Sequence, residues 1–145
     1  MISLDRFAIF KVEQLQNSVL DHYEKFEFYL AMQKFVAFCS EELGGFYLDI
    51  IKDRLYTTKE DSFARRSAQT ALYHISHSLM RVMAPVLSFT AHELWEVLCK
   101  GTNHSIFSDY WYELPNHLLS SDDIKDWDNV IKVRSLANKR IEEVR

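Results

Sequence analysis

Glycine and proline are scarce: 3 and 2 in 145 residues. Strand-rich folds need many turns, and turns draw on these residues, so their shortage favours long helices. Cysteine is limited to Cys39 and Cys99. That spacing gives no CxxC pair and no disulfide framework, and the two read as reduced core thiols of a cytosolic chain. The N-terminus carries Asp5 and Arg6 where a signal peptide would have a basic start and an apolar run. No apolar run is long enough to span a bilayer. Positive charge is in deficit, with a net charge of −4, which argues against a free nucleic-acid-binding domain that is basic all over. It leaves room for a local basic patch. What is abundant is apolar: 48% of residues are hydrophobic and 14% aromatic, enough for one real core in one domain.

Apolar periodicity assigns the chain to the all-α class, as an antiparallel helical bundle. Leu4, Ala8, Val12, Leu15, Val19 and Tyr23 form a stripe at helical spacing, predicting a first helix from Leu4 to about Tyr23 with Ser3 as N-cap. A second helix spans Phe28 to Leu43, with Ala31, Phe35, Phe38, Cys39 and Leu43 inward, and Gly44-Gly45 ends or kinks it. A short helix follows from Phe46 to about Tyr56. After the polar loop Thr57 to Asp61, Asp61 or Ser62 caps a long helix to about Met83, whose inner face carries Ala64, Ala68, Ala71, Leu72, Ile75, Leu79 and Val82. Pro85 interrupts. Thr90 and Glu93 read as a capping box, flanked by a staple of Phe89 and Leu94, for a short helix that ends near Lys100-Gly101. Residues 102–126 read as an irregular loop, tucked onto the bundle by Phe107, Tyr110, Trp111 and Tyr112. From Trp127 to Arg145 a last helix aligns Val130, Val133, Leu136, Ala137, Ile141 and Val144 along one side.

Chemistry has few candidates. On the Phe46–Tyr56 helix, Lys52 sits between Asp49 and Asp53 in the i, i+3, i+4 pattern. Arg54 lies beside the apolar Ile50 and Ile51 and needs a partner, since an unpaired buried charge is too costly. Lys52 or Arg54 either reaches a phosphate or base, or makes an interhelix ion pair that fixes the packing. On the long helix, Arg66, Gln69, Tyr73 and His77 share the side opposite the alanines, flanked by Arg65, with Lys59 in the preceding loop. Cations hold phosphates, rings stack on unpaired bases and an amide reads base edges, a set that suits single-stranded RNA. The competing reading packs Tyr73 and His77 against another helix.

Other motifs fail. His92-Glu93-Leu94-Trp95-Glu96 is similar to a zincin motif but ends in Glu96, and His74 with His77 has no Cys, Asp or Glu nearby to complete a zinc set. GxSxG, Walker A and GxGxxG are absent, and nothing pairs a nucleophile with its base. An autonomous enzyme is not expected.

Three segments together resemble the class I aminoacyl-tRNA synthetases for branched aliphatic amino acids: Phe46 to Thr57, Ala64 to Ile75, and Met83-Ala84-Pro85 through Phe89-Thr90 and Glu93 to Trp95. Lys52-Asp53-Arg54-Leu55-Tyr56 is most similar to the bacterial isoleucyl type. The pattern Trp127…Val133-Arg134…Asn138-Lys139 resembles the helix that leads out of the anticodon-binding domain.

The resemblance implies a single α-helical anticodon-binding domain over 1–145. It would be a fragment of a much longer, cytoplasmic synthetase, and the family's catalytic HIGH and KMSKS motifs, its editing domain and its C-terminal zinc module are absent from these 145 residues. The implied partners are isoleucine tRNA and the rest of the synthetase chain, with no membrane. No cofactor is implied for the fragment itself; the parent enzyme would use ATP with Mg to charge tRNA. The alternative from the residues is an α-helical protein–protein interaction domain without RNA affinity, motivated by the acidic balance and the aromatic loop.

Overall fold

The computed structural model describes residues 1–101 and 104–144; Thr102 and Asn103 of the expected loop, and Arg145 of the expected last helix, lie outside them. Among the described residues there are six α-helices: α1 (Ser3–Glu24), α2 (Phe28–Ala37), α3 (Asp49–Thr57), α4 (Phe63–Met83), α5 (Ser88–Leu98) and α6 (Ser121–Glu143). No strand occurs among the described residues.

Between α2 and α3 the chain does not break at Gly44-Gly45. It continues through Phe38–Leu48 as a π-helix, with helical backbone at both junctions. The two glycines permit this. A Cβ on Gly44 would sit 3.0 Å from the Cys39 carbonyl oxygen, and one on Gly45 3.3 Å from that of Ser40. The π segment buries Phe38, Phe46 and Tyr47 in the core.

Consecutive long elements alternate in direction, so the fold is a helical bundle in which α1 and α4 both run opposite to the α2–α3 rod. α1 and α4 therefore lie parallel, and three polar rungs mark their seam. At one end Ser67 Oγ accepts from the Ile2 N–H at 2.8 Å and donates to Asp5. Ser78 Oγ donates to Gln16 Oε1 at 2.7 Å in the middle. Tyr23 OH donates to the Val82 carbonyl at 2.8 Å at the far end. α1 is central: Leu4, Phe7, Ala8, Ile9, Val12, Leu15 and Val19 are all buried, opposite Ala68, Ala71, Ile75, Met80 and Val82 of α4 and Ala31, Phe35 and Ile51 of the rod. The alanines of α4 let it approach closely.

Several expected caps fall elsewhere. Ile2, not Ser3, precedes α1, and Ser3 Oγ accepts instead from Trp127 Nε1 at 2.9 Å. Ser62 does cap α4 through the Arg65 N–H. Thr90 does not cap α5. The turn over Pro85, closed by Leu87 N–H to the Met83 carbonyl, starts α5 at Ser88, and Thr90 lies inside it.

The expected loop of 102–126 is shorter at its far end, because α6 begins at Ser121 under a capping box of Ser120 and Asp123. Within it, Ile106–Ser108 form one 3-10 turn. α6 is held at Trp127, whose ring stacks on Phe7 at 5.5 Å, and at Arg134, which donates to the Gly45 carbonyl at 2.7 Å and lies over the Phe46 ring. That rotation leaves Val130, Val133, Leu136, Ile141 and Val144 exposed.

Candidate nucleic-acid interface

The turn from α3 into α4 sets the geometry. Ser62 Oγ caps α4 and also donates to Thr58 Oγ1 at 3.1 Å, while Arg65 Nη1 donates to the Thr58 carbonyl at 3.1 Å. Arg65 is thus partly committed to closing the turn. Arg66, one position on, is exposed, as are Gln69 and Lys59. Arg66, Gln69, Thr70 and Tyr73 line a shallow open groove of about 300 Å³, and Tyr73 is 57% exposed. A cation, an amide and a ring share this stretch of α4, as the spacing implies.

His77 does not belong to that exposed set. It is 9% exposed, its ring stacked on Tyr112 at 5.4 Å and edge-on to Trp95 at 6.2 Å. Tyr73 covers it from the other side at 4.3 Å. Burial lowers its pKa, and the adjacent Arg81 adds to the effect. His74 is lowered by burial as well, and its Nδ1 lies 2.7 Å from the Tyr112 hydroxyl. The two competing readings of this helix face therefore divide along it: Arg66 to Tyr73 is open, and His77 is packed.

Arg54 is taken up inside the protein. Its Nη1 lies 3.2 and 3.1 Å from the two carboxylate oxygens of Asp5, which is fully buried and also accepts from Tyr47 OH at 2.9 Å and from Ser67. Burial, then the neighbouring carboxylate, push the Tyr47 hydroxyl pKa far up. Of the two sequence readings for Arg54, the structure shows the interhelix ion pair. Lys52 is exposed and pairs with Asp49 at 3.1 Å. Such a surface pair contributes little, so its ammonium remains available.

The residues that brace the face were not legible as such. Arg81 lies four residues beyond His77 on the same side of α4. Its Nη1 donates to the His77 carbonyl at 2.8 Å and its Nη2 to Asp109 at 2.5 Å. Its guanidinium lies over the rings of Trp95, at 4.8 Å, and Tyr112, at 5.1 Å. Gln16 Nε2 donates to the Tyr112 carbonyl at 2.9 Å, pinning the 106–112 segment to α1. The aromatics expected to tuck this segment down divide in the same way. Tyr112 does so; Trp111 stacks one face on Tyr23 of α1 at 6.4 Å and Phe107 on His92 of α5 at 6.3 Å while remaining partly exposed, and Tyr110 stands out to solvent. The i, i+4 step from His77 to Arg81 was the available signal.

Among the described residues there is no group of three or more His, Cys, Asp or Glu that could hold a metal ion. His92 Nε2 instead lies 3.5 Å from Glu96 across one turn. No described helix is long and apolar enough to cross a membrane.

Residues 5–145 match the family described as the anticodon-binding domain of tRNA ligase. The chain belongs to that family. It is 48% identical over 146 residues to an isoleucine–tRNA ligase of Cupriavidus pinatubonensis, covering 99% of this chain and 15% of the relative. It is 49% identical over 144 residues to that of Burkholderia cenocepacia, again 99% and 15%. With the enzyme of a Shewanella species the identity is 44% over 147 residues, 100% and 16%. The chain thus spans about one sixth of the length of these relatives, all bacterial isoleucine–tRNA ligases. The resemblance seen in the sequence extends over nearly all of it, as an anticodon-binding domain of an aminoacyl-tRNA synthetase.

Proposed function

We propose that this domain binds the anticodon stem-loop of isoleucine tRNA through the outer face of α4, with Arg66, Gln69 and Tyr73 at its centre and Lys52, Lys59 and Arg65 at its edge. The observation that carries the reading is the open groove at Arg66–Tyr73, on a chain whose family is defined by anticodon binding. Arg66 meets phosphate, Gln69 a base edge and Tyr73 the face of an unpaired base. His77 and Arg54 support this surface from beneath and within the bundle. The charge of −4 is compatible with it, because a domain tethered to other tRNA contacts works at high effective concentration.

In the same reading the domain is part of a longer cytoplasmic isoleucine–tRNA ligase whose catalytic portion uses ATP with Mg, and remote binding here helps position the acceptor end there. The rest of that chain is its second partner.

A second reading, a helical protein–protein interaction domain, draws on the exposed valines and leucine of α6. Binding of isoleucine tRNA that weakens with salt and with Arg66→Ala supports the first reading. Self-association with no RNA binding would favour the second.

A further inference from the structure

The outer side of α4 continues past His77. Arg66, Tyr73, His77 and Arg81 follow the 3.6-residue period on one side, and from Arg66 to Arg81 the helix rises about 22 Å. Beyond the packed His77 lies a cavity of about 320 Å³ between the end of α4 and the 106–111 segment. Its lining includes Arg81, Pro85, Phe107, Asp109, Tyr110 and Trp111.

Three features set this cavity apart from ordinary surface. The Arg81 side chain is only 10% exposed and salt-bridged to Asp109, so the wall carries a fixed charge pair. Arg81 Nε is buried and has no hydrogen-bond partner among the described residues, and a buried donor without an acceptor is costly. Around the mouth, Tyr110 is 87% exposed, Phe107 59% and Trp111 45%. Phe107 and Trp111 each rest one face on a ring of the bundle, His92 and Tyr23, whereas Tyr110 has no ring partner among the described residues and offers a free face at the mouth of the pocket.

The charge pair also selects the ligand. Asp109 disfavours a phosphate, while its partner Arg81 offers donors to a neutral acceptor. Burial alone would raise the Asp109 pKa, but the Tyr110 N–H and Arg81 hold it below the usual value, so it stays ionised near neutrality.

We propose that this pocket is a second RNA subsite that takes one unstacked nucleobase of the strand held on α4. The base stacks on the Tyr110 ring and presents a carbonyl oxygen or ring nitrogen to the Arg81 guanidinium. This rests on the RNA-binding reading above and adds a base-binding place to it, about 22 Å along the helix from Arg66.

The test uses the 145-residue chain and anticodon stem-loop RNAs that carry 2-aminopurine at one loop position at a time, with Tyr110→Ala, Tyr110→Phe and Arg66→Ala variants. Tyr110 is exposed and makes no side-chain bond to the Arg81–Asp109 pair, so its truncation leaves the fold in place, checked by an unchanged Tm. The expected result is a fluorescence change at one loop position, lost in Tyr110→Ala and retained in Tyr110→Phe, with affinity about tenfold weaker for the alanine variant. If Tyr110→Ala binds like the parent with the same signal at every position, while Arg66→Ala weakens binding, the pocket proposal fails and the α4 reading stands. If the parent chain binds none of these RNAs at low salt, both fall.

Discussion

Asp5 in the first turn of α1 and Arg54 near the end of α3 meet at 3.1 Å, with the carboxylate fully buried and the guanidinium partly so. Together with Tyr47 and Ser67 they join α1, the π segment, α3 and α4 at one end of the bundle. The pair fixes where α3 delivers the chain into the Ser62 cap, and so where Arg65 and Arg66 begin.

Removing one member of this pair is therefore costly. Asp5→Ala leaves Arg54, Tyr47 and Ser67 without their shared acceptor and is expected to destabilise the domain by about 3–5 kcal/mol. Urea unfolding measures it directly. A loss below about 1 kcal/mol would show the network to be ornamental.

Stability should fall with acid around His77 and His74. Both have lowered pKa values in the folded chain, so the unfolded state binds more protons between the folded values and the ordinary His value of about 6.5. The contribution is fully present above that ordinary value and is lost as pH drops below it. The Tm is expected to decline from pH 7.5 to pH 5.5, and less steeply in His77→Gln. An equal decline in the variant would contradict the assignment.

Gly44 tests the π segment. Glycine to alanine inside a helix usually stabilises by about 0.5–1 kcal/mol. Here the new Cβ would meet the Cys39 carbonyl at 3.0 Å, a backbone atom that moves only if the segment rewinds. Gly44→Ala is expected to lose stability, read by urea unfolding; a gain would mean that the widened turn is not needed.

These features also show what the sequence could reveal. The alanine-lined face of α4 and the stripe of α1 were legible because one apolar period runs the length of each. The Arg66–Tyr73 face followed from the same period. Asp5 was not legible as a buried hub, since its partners come from 42, 49 and 62 residues away. Gly44-Gly45 signals a break locally, yet packing of Phe46 and Tyr47 carries the helix through as a π segment. Thr90 and Glu93 have the letters of a capping box, but the turn over Pro85 starts α5 three residues earlier, with Leu87 in the capping position. The start of α6 was written in Ser120 and Asp123 and hidden by the polar run around them. Its apolar side has no partner among the described residues, so periodicity found the stripe without showing what covers it.

Ser120→Ala checks that last start. Losing the side-chain half of the capping box should cost about 1 kcal/mol of helix stability, felt locally because α6 has no buried residue. Hydrogen exchange is expected to quicken in the first turns of α6 and not in α4. Unchanged exchange at both would contradict the cap.

The most direct test of anticodon binding on α4 is the affinity of the 145-residue chain for isoleucine tRNA across a salt series, with an anticodon-substituted tRNA and an Arg66→Ala/Tyr73→Ala variant alongside. Anticodon binding on α4 predicts affinity that falls with salt, weakens with the changed anticodon, and weakens further in the variant, with a salt slope shallower by about one. Binding that is indifferent to salt and to both residues would contradict it.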